Sequence, residues 1–342
     1  MSDRPITLVT RGSALALTQT RTILAQCQAA FPELRFEIQI VKTTGDRLQR
    51  TAPNPDMPPP AKGLFTKELE HELLENRADL AIHSLKDLPT ELPDGLILGA
   101  VSQRVDVRDV LIYRDAAFKP SNPSETRGRG LSPQATVQDF PENAQIGTGS
   151  TRRQAQLSSI RPDFRFLPIR GNVGTRLSKL ASMGELDGIV LAAAGLNRLH
   201  FYIRPDGRLV HSLPDSAEQG GAPLEAPDGL LASYLSVESM IPCVGQAAIG
   251  IEIRKDDPRV QAICDRLNDP GTLQCVLAER FFLAAMGGGC LSPIGAHAQR
   301  VDGELCLNAV SFVDGERRHG QVKGEPAQAE ALARDLATKL KA

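Results

Sequence analysis

Arginines at positions 11, 152, 153, 170, 176 and 198 fall at turns or at the ends of elements, where a ligand cleft would open. Arginine donates two parallel hydrogen bonds through a planar fork, which suits carboxylate and phosphate. The turns Gly12-Ser13 and Gly149-Ser150-Thr151 add backbone N–H donors where helices begin, and the helix dipole favours anions there. On spacing alone, the six arginines fit either a polyanion site or solvated surface. A Walker phosphate loop is excluded, because no Gly-Lys-Ser/Thr follows the glycines.

Two further segments carry reactive groups. His83-Ser84-Leu85-Lys86-Asp87-Leu88-Pro89 leaves an apolar run and stops at a proline. That places a base, Lys86, and an acid, Asp87, at the carboxyl end of a strand, where catalytic groups gather. Outside that context the pair would read as an exposed turn. In Gly287-Gly288-Gly289-Cys290-Leu291-Ser292-Pro293-Ile294-Gly295, three glycines strip side chains from around a thiol. A bulky group could then approach the sulfur, although a flexible turn with an incidental cysteine fits as well. No Cys–His pairing is visible that would favour a thiol protease.

The elements that must position these groups follow a repeated grammar. Ile6 to Thr10 reads as a strand, Arg11-Gly12-Ser13 as a turn, and Leu15, Leu17, Ile23 and Leu24 as one face of a helix. A second strand, Phe36 to Val41, leads into 44–62, read as a surface loop or lid because five of the eight residues 53–60 are proline. A helical stripe (Phe65, Leu69, Leu73, Leu74) and a buried strand (Ala78 to His83) come next. The same order returns at Gln145 to Leu157 and at Asp187 to Ala192. Strands alternating with helices predict a mostly parallel sheet in each of two α/β halves. Residues 119–141 and 204–230, rich in Pro, Gly and Ser, read as loops or insertions. After about residue 265, β-like runs at 296–299 and 304–311 and a helix through Leu332, Leu336 and Leu340 predict a small α+β third domain.

Composition removes several function classes. The chain has 342 residues, 41% apolar and 23% charged, with 39 Lys+Arg against 41 Asp+Glu. A net charge of -2 offers no bulk basicity for nucleic acid or membrane. No apolar run approaches the roughly 18–20 residues that cross a bilayer. MSDRPITLVTRG lacks an apolar signal core, so an unexported protein is expected. Cysteines 27, 243, 264, 275, 290 and 306 form no CxxC pair and the histidines show no metal spacing, so free thiols and no metal are expected.

The segments TRGSALALTQ (10–19), KGLFTKELEHELLENRADLAIHSLKDLPTELPDGL (62–96), GTGSTRRQAQL (147–157), RGNVGTRLSKL (170–180), VGQAAIGIE (244–252) and GGGCLSPIG (287–295) occur in order. Together they resemble the signatures of the porphobilinogen deaminase (hydroxymethylbilane synthase) family, over most of the chain. The resemblance implies an α/β fold of two periplasmic-binding-protein-like doubly wound domains plus a small α+β C-terminal domain with an antiparallel sheet. The domains it implies are 1–107 with 246–265, then 108–241, then 268–342. It implies a dipyrromethane held by Cys290 through a thioether, with its four carboxylates met by Lys86, Ser150, Arg152, Arg153 and backbone amides. Asp87 matches the catalytic carboxylate, which also faces that cofactor. Arg11, Ser13, Gln19, Arg170, Arg176 and Arg198 match positions for incoming substrate and the growing chain, and Lys62 a basic residue on a loop over the site.

The implied reaction joins four porphobilinogen units head to tail with loss of ammonia and hydrolyses the product to hydroxymethylbilane. A cytoplasmic monomer that passes this product to uroporphyrinogen-III synthase is expected. Gly149 stands where that family commonly has serine, Ala247 where it has glycine and Ala14 where proline is frequent. The rival readings are a non-catalytic two-lobed protein for an anionic solute and an effector-binding transcription regulator. The first has no use for Lys86-Asp87 or the thiol loop, and the second would need a DNA-reading module before residue 6.

Overall fold

A computed structural model describes residues 4–48, 63–119, 129–213, 225–289 and 291–341. Lys62, Cys290 and the proline run at 53–60 lie outside the described residues, as do 120–128 and 214–224 of the two insertions.

The first lobe opens with β1 (Ile6–Arg11), α1 (Ala14–Ala30), β2 (Phe36–Val41), α2 (Thr44–Leu48), α3 (Lys67–Leu74), β3 (Leu80–Ser84) and β4 (Leu96–Val101). The second holds β5 (Asp109–Arg114), β6 (Gln145–Gly147), α4 (Thr151–Ile160), β7 (Arg165–Leu167), α5 (Val173–Ser182), β8 (Gly188–Ala192), α6 (Ala193–Arg198), β9 (Phe201–Ile203), β10 (Leu209–His211) and β11 (Leu230–Tyr234). The chain then returns with β12 (Ile249–Arg254) and α7 (Pro258–Leu267). It ends with α8 (Pro270–Ala285), β13 (Ile294–Val301), β14 (Glu304–Ser311), β15 (Arg318–Gly324) and α9 (Ala329–Lys341).

The two large sheets share one plan, β2-β1-β3-β12-β4 and β7-β6-β8-β5-β11. They are mixed rather than mostly parallel, because β12 runs against β3 and β4 while β5 runs against β8 and β11. The reversed strand in each sheet is the first one laid down after the chain changes lobes. It starts at the cleft, where the other strands end: Ile249 sits beside Ser84, and Asp109 beside Ala192. Helices cover both faces. Ile23 and Cys27 of α1 with Val260 and Cys264 of α7 pack one face of the first sheet, and Leu69 and Leu73 of α3 the other. In the second lobe, Val110 and Ile112 face Leu177, Leu180 and Leu196, whereas Leu111 and Tyr113 face Leu157 and Phe140. That is the period of two expected of a strand buried on both sides.

The antiparallel sheet β13-β14-β15 packs on α8 and α9 around Phe282, Leu307 and Leu336. Its third strand, RHGQVKG, escaped the sequence reading because Val322 is its one core residue. Two loop expectations need correction. Thr44–Leu48 is helical, because Thr43 and Asp46 bond across the first turn. The first insertion contributes Ala135, Val137 and Phe140 to the core of the second lobe, and the second begins with the β9–β10 hairpin.

Candidate active site

β3 ends at Ser84 and the chain bends through one 3-10 turn, Leu85–Asp87. Leu85 and Leu88 are buried against Val101, Ala248 and Val276, which leaves Lys86 and Asp87 half-buried between two apolar anchors. Asp87 makes no side-chain hydrogen bond among the described residues, so its carboxylate is unspent. It borders a cavity of about 60 Å³ with Arg11, Ser13, Gln19, Phe65 and His83. Each of these is placed by its element. Ser13 caps α1 by accepting from Ala16 N at 3.3 Å, and a cap of this kind is worth about 0.5–2 kcal/mol. Gln19 takes the Ser84 hydroxyl at 3.0 Å, while its Nε2 is buried and unpartnered. Arg11 pairs with Asp46 at 2.5 Å and lies 4.1 Å over the Phe65 ring. Burial pushes Asp46 up, but Arg11 and Thr43 outweigh it and hold the carboxyl below its ordinary value.

The facing wall comes from the second lobe. Ser150 caps α4, accepting from Arg153 N at 3.4 Å, so Arg152 and Arg153 occupy the first turn of that helix. Both guanidiniums turn inward. Arg152 and Arg153 each reach the wholly buried Asp109 at 2.7 Å and donate to the carbonyls of Ile241 and Val190. Gln246 Nε2 adds a third contact to Asp109 at 3.0 Å. Burial opposes the charge on Asp109, yet the two arginines overwhelm it and hold the carboxyl far below the usual range. Each guanidinium spends one N–H of each Nη on these contacts, and the Nε–H of both is buried without a partner. The two arginines therefore offer less of their forks than their spacing promised.

Lys86 and Arg176 complete the positive side. Burial and the charge of Arg153 pull Lys86 below its ordinary value, against Asp87 and Asp109. Arg176 gives its Nε to Gly171 O at 2.8 Å, and burial and Arg153 lower it against Asp87. Lys86, Arg152, Arg153 and Arg176 thus outnumber Asp87 and Asp109 in one neighbourhood. Arg198 sits apart, donating to Ala247 O at 2.6 Å, with burial lowering it to about 10. Arg170 is exposed on the turn before α5 and is not drawn into this cluster. A larger cavity of about 680 Å³, lined by Val137, Leu157, Ile160, Leu235 and Met240, contains none of these residues.

The thiol loop is bracketed by described residues. Gly287 has φ +71, a left-handed conformation that favours glycine, and a Cβ on Gly288 would crowd the side chain of Leu283 at 2.7 Å. A Cβ on Gly289 would meet open space. Thr151 Oγ1 donates to Leu291 O at 2.6 Å, tying the neighbour of Cys290 to the first turn of α4. At Gly149 a Cβ would come no nearer than 3.8 Å to Ile169 O, so glycine there leaves space rather than answering a clash.

Sequence reasoning missed Asp109, Gln246 and Cys243. Asp109 was signalled only as a lone acid opening the apolar run VLIY. Cys243 is a thiol close enough to feel Arg152, Lys86, Asp87 and Asp109, and burial raises its pKa. Among the described residues no cluster suits a metal ion.

The residues fit a small polycarboxylate: the cations are in surplus and two buried arginine N–H groups await acceptors. The model of the family described as porphobilinogen deaminase, dipyromethane cofactor binding domain, matches residues 6–262, and that of its C-terminal domain matches 273–342. Porphobilinogen deaminase of Syntrophobacter fumaroxidans is 40% identical over 342 residues, covering 99% of this chain and 95% of that one. The enzymes of that name from Alkaliphilus metalliredigens and Syntrophus aciditrophicus are each 38% identical, over 97% of this chain and 91% and 93% of theirs.

Proposed function

Because the chain belongs to the porphobilinogen deaminase family, we propose that its cleft works with Asp87 at the reacting ring and Cys290 as the carrier. The enzyme is a transferase that joins four porphobilinogens head to tail on a cysteine-bound dipyrromethane and releases hydroxymethylbilane. The observation that carries the residue assignment is the unspent carboxylate of Asp87 inside a cation-rich cleft, beside the α4 turn that grips Leu291.

When bound, the dipyrromethane supplies the free pyrrole α-carbon at which chain growth starts. Lys86, Ser150 and the Nε–H groups of Arg152 and Arg153 would hold its carboxylates, with Cys290 bonded as a thioether. Each porphobilinogen must break its C–N bond, the electron pair leaving with ammonia. The methylene carbon left behind is cationic through the pyrrole ring. Bond formation to a free α-carbon passes positive charge to a second ring, until that carbon sheds its proton. Asp87 accepts pyrrole N–H groups and opposes this charge with a preformed negative one, which costs no reorganisation at the moment of reaction. It is also the group placed to take up the proton. In this reading Arg11, Ser13, Gln19, Arg170, Arg176 and Arg198 meet the acetate and propionate groups of the incoming substrate and the growing chain, with Lys62 as a further cation.

The domains of this reading are 1–107 with 246–265, 108–241 and 268–342, supported by the separate sheets. Free cysteines at 27, 243, 264, 275 and 306 support a reducing, cytoplasmic setting, and no described helix is long and apolar enough to cross a membrane. The reading includes a monomer that hands its product to uroporphyrinogen-III synthase.

Peptide mapping with intact mass tests the assignment. The two-ring adduct is expected on Cys290 and not on Cys243, although Cys243 lies near Lys86, Asp87 and Arg152. Asp87→Asn should keep the adduct and lose about 10²–10³ in turnover. Active protein with unmodified Cys290, or near-parental turnover in Asp87→Asn, would overturn the corresponding role.

A further inference from the structure

We propose that Arg280 is a positioning residue for the reaction, setting the Lys86–Asp87 turn against the loop that bears Cys290. The inference rests on the reading of Asp87 given above. Arg280 lies on α8 and is buried, and its guanidinium reaches the reactive segment. Nη1 donates to Leu88 O at 3.1 Å, and Nη2 donates to Pro89 O at 2.6 Å and Thr90 O at 3.3 Å. These are the three residues that follow Asp87 in the chain. One planar fork therefore gathers three consecutive carbonyls of the reactive segment, a task that suits guanidinium and exceeds a single ammonium point.

The geometry around it makes the link rigid. Val276, one helical turn earlier on α8, packs with Leu85 and Leu88, the two anchors of the turn. Glu279, next to Arg280, is fully buried and takes Arg104 at 2.5 Å, Gly245 N and Ala298 N at 2.8 Å. The same helix thus grips the reactive turn through Arg280 and the lobe crossings through Glu279. It ends at Ala285 and leads directly into Gly287-Gly288-Gly289-Cys290. The carrier loop and the carboxylate that must meet its load are referenced to a single rod. Packing holds Leu85 and Leu88 by their side chains, and Arg280 adds a directional hold on the carbonyls of Leu88, Pro89 and Thr90. A displacement of about 1 Å in a catalytic group can cost on the order of 10²-fold.

The test uses holoenzyme carrying Arg280→Met or Arg280→Lys, each alone and combined with Asp87→Asn. Cofactor load is read by intact mass, and kcat, KM and single-turnover adduct formation are measured. Arg280→Met should keep its adduct and lose about 10- to 100-fold in kcat, with KM within about threefold. Arg280→Lys, which still donates to part of the carbonyl set, should lose less. On the Asp87→Asn background the same change should cost under about threefold, since the group it positions has already lost its charge. A residue that merely stabilises the fold would give equal losses on both backgrounds, and that result overturns the proposal, as does parental kcat in Arg280→Met. Should the methionine variant not fold, Arg280→Lys carries the comparison on both backgrounds, with the same two overturning results. If Asp87→Asn itself turns over at the parental rate, the reading of Asp87 fails first, whatever Arg280 does.

Discussion

A carboxylate enclosed by two guanidiniums and shut off from water loses the freedom to become neutral. Asp109 is that group: with its charge removed, Arg152 and Arg153 would face each other across a dry interior. Asp109→Asn should therefore cost about 3–5 kcal/mol of stability, the range for breaking a buried pair. Because folding holds Asp109 below its ordinary 3.8, the native state binds fewer protons than the unfolded chain there. Its contribution is then complete above that value and is lost as pH falls toward the depressed one. Urea melts should show a constant gap between parent and variant from about pH 5 to 7, narrowing below pH 4. A gap under about 1 kcal/mol at neutral pH would show that the pair does not bear this load. At this scale Arg152, Arg153, Lys86 and Asp87 were legible, because their residue types and turn context declare a polar site. Asp109 was not, since its partners lie 43 and 44 residues away and only the fold reveals that its charge is buried.

The segment that brings the chain back between lobes contains two left-handed residues with opposite expected fates. Ala247 has φ +76 and gives its carbonyl to Arg198. Gly245 has φ +69, and a Cβ there would lie 2.9 Å from Leu85. Ala247→Gly relieves about 1–2 kcal/mol of left-handed strain while loosening the unfolded chain by about 0.5–1 kcal/mol. A small net stabilisation is expected from denaturant melts. Gly245→Ala adds both strain and a collision with the anchor of the reactive turn, so it should destabilise by more than about 1 kcal/mol. Loss of stability in Ala247→Gly would count against the strain argument. Strand–turn–helix units were readable from the sequence because glycine, serine and helical spacing mark them locally. The reversal of β5 and β12 was not readable, because a strand's direction depends on which lobe the chain has just left. α8 was missed for another reason: PGTLQCVLAERFFLAA is apolar nearly all round, so it shows no single helical face.

Across the whole molecule, Glu279 joins three parts that the sequence keeps far apart. Its carboxylate accepts from Arg104 on the outward crossing, Gly245 on the return and Ala298 in the third sheet. Glu279→Gln leaves Arg104 as a largely buried charge without its counter-ion, at a cost of about 3–5 kcal/mol. It should also loosen the joint itself. Calorimetry is expected to resolve melting of the antiparallel domain from that of the two lobes, where the parent melts as one. A single, unshifted transition would refute the joint. The three-part architecture was legible from changes of pattern along the chain. The joint was not, because it depends on residues that meet only after all three parts have folded.

The placement of β12 between β3 and β4 also sets an order of birth. β4 is complete at Val101, but its neighbour in the sheet begins only at Ile249, after the whole second lobe has been translated. At about 5–20 residues per second the ribosome needs roughly 7–30 s to cover that gap. The second lobe is continuous and can close its sheet during this interval, while the first waits with β3 and β4 unjoined. Nascent chains stalled once residue 241 has cleared the exit tunnel should therefore show a protease-resistant second lobe and a digestible first one. Equal resistance of both would mean that the first lobe does not need its late strand. In the cell, the lobe made first is finished after the second, and until then its open sheet is a surface for a chaperone to cover.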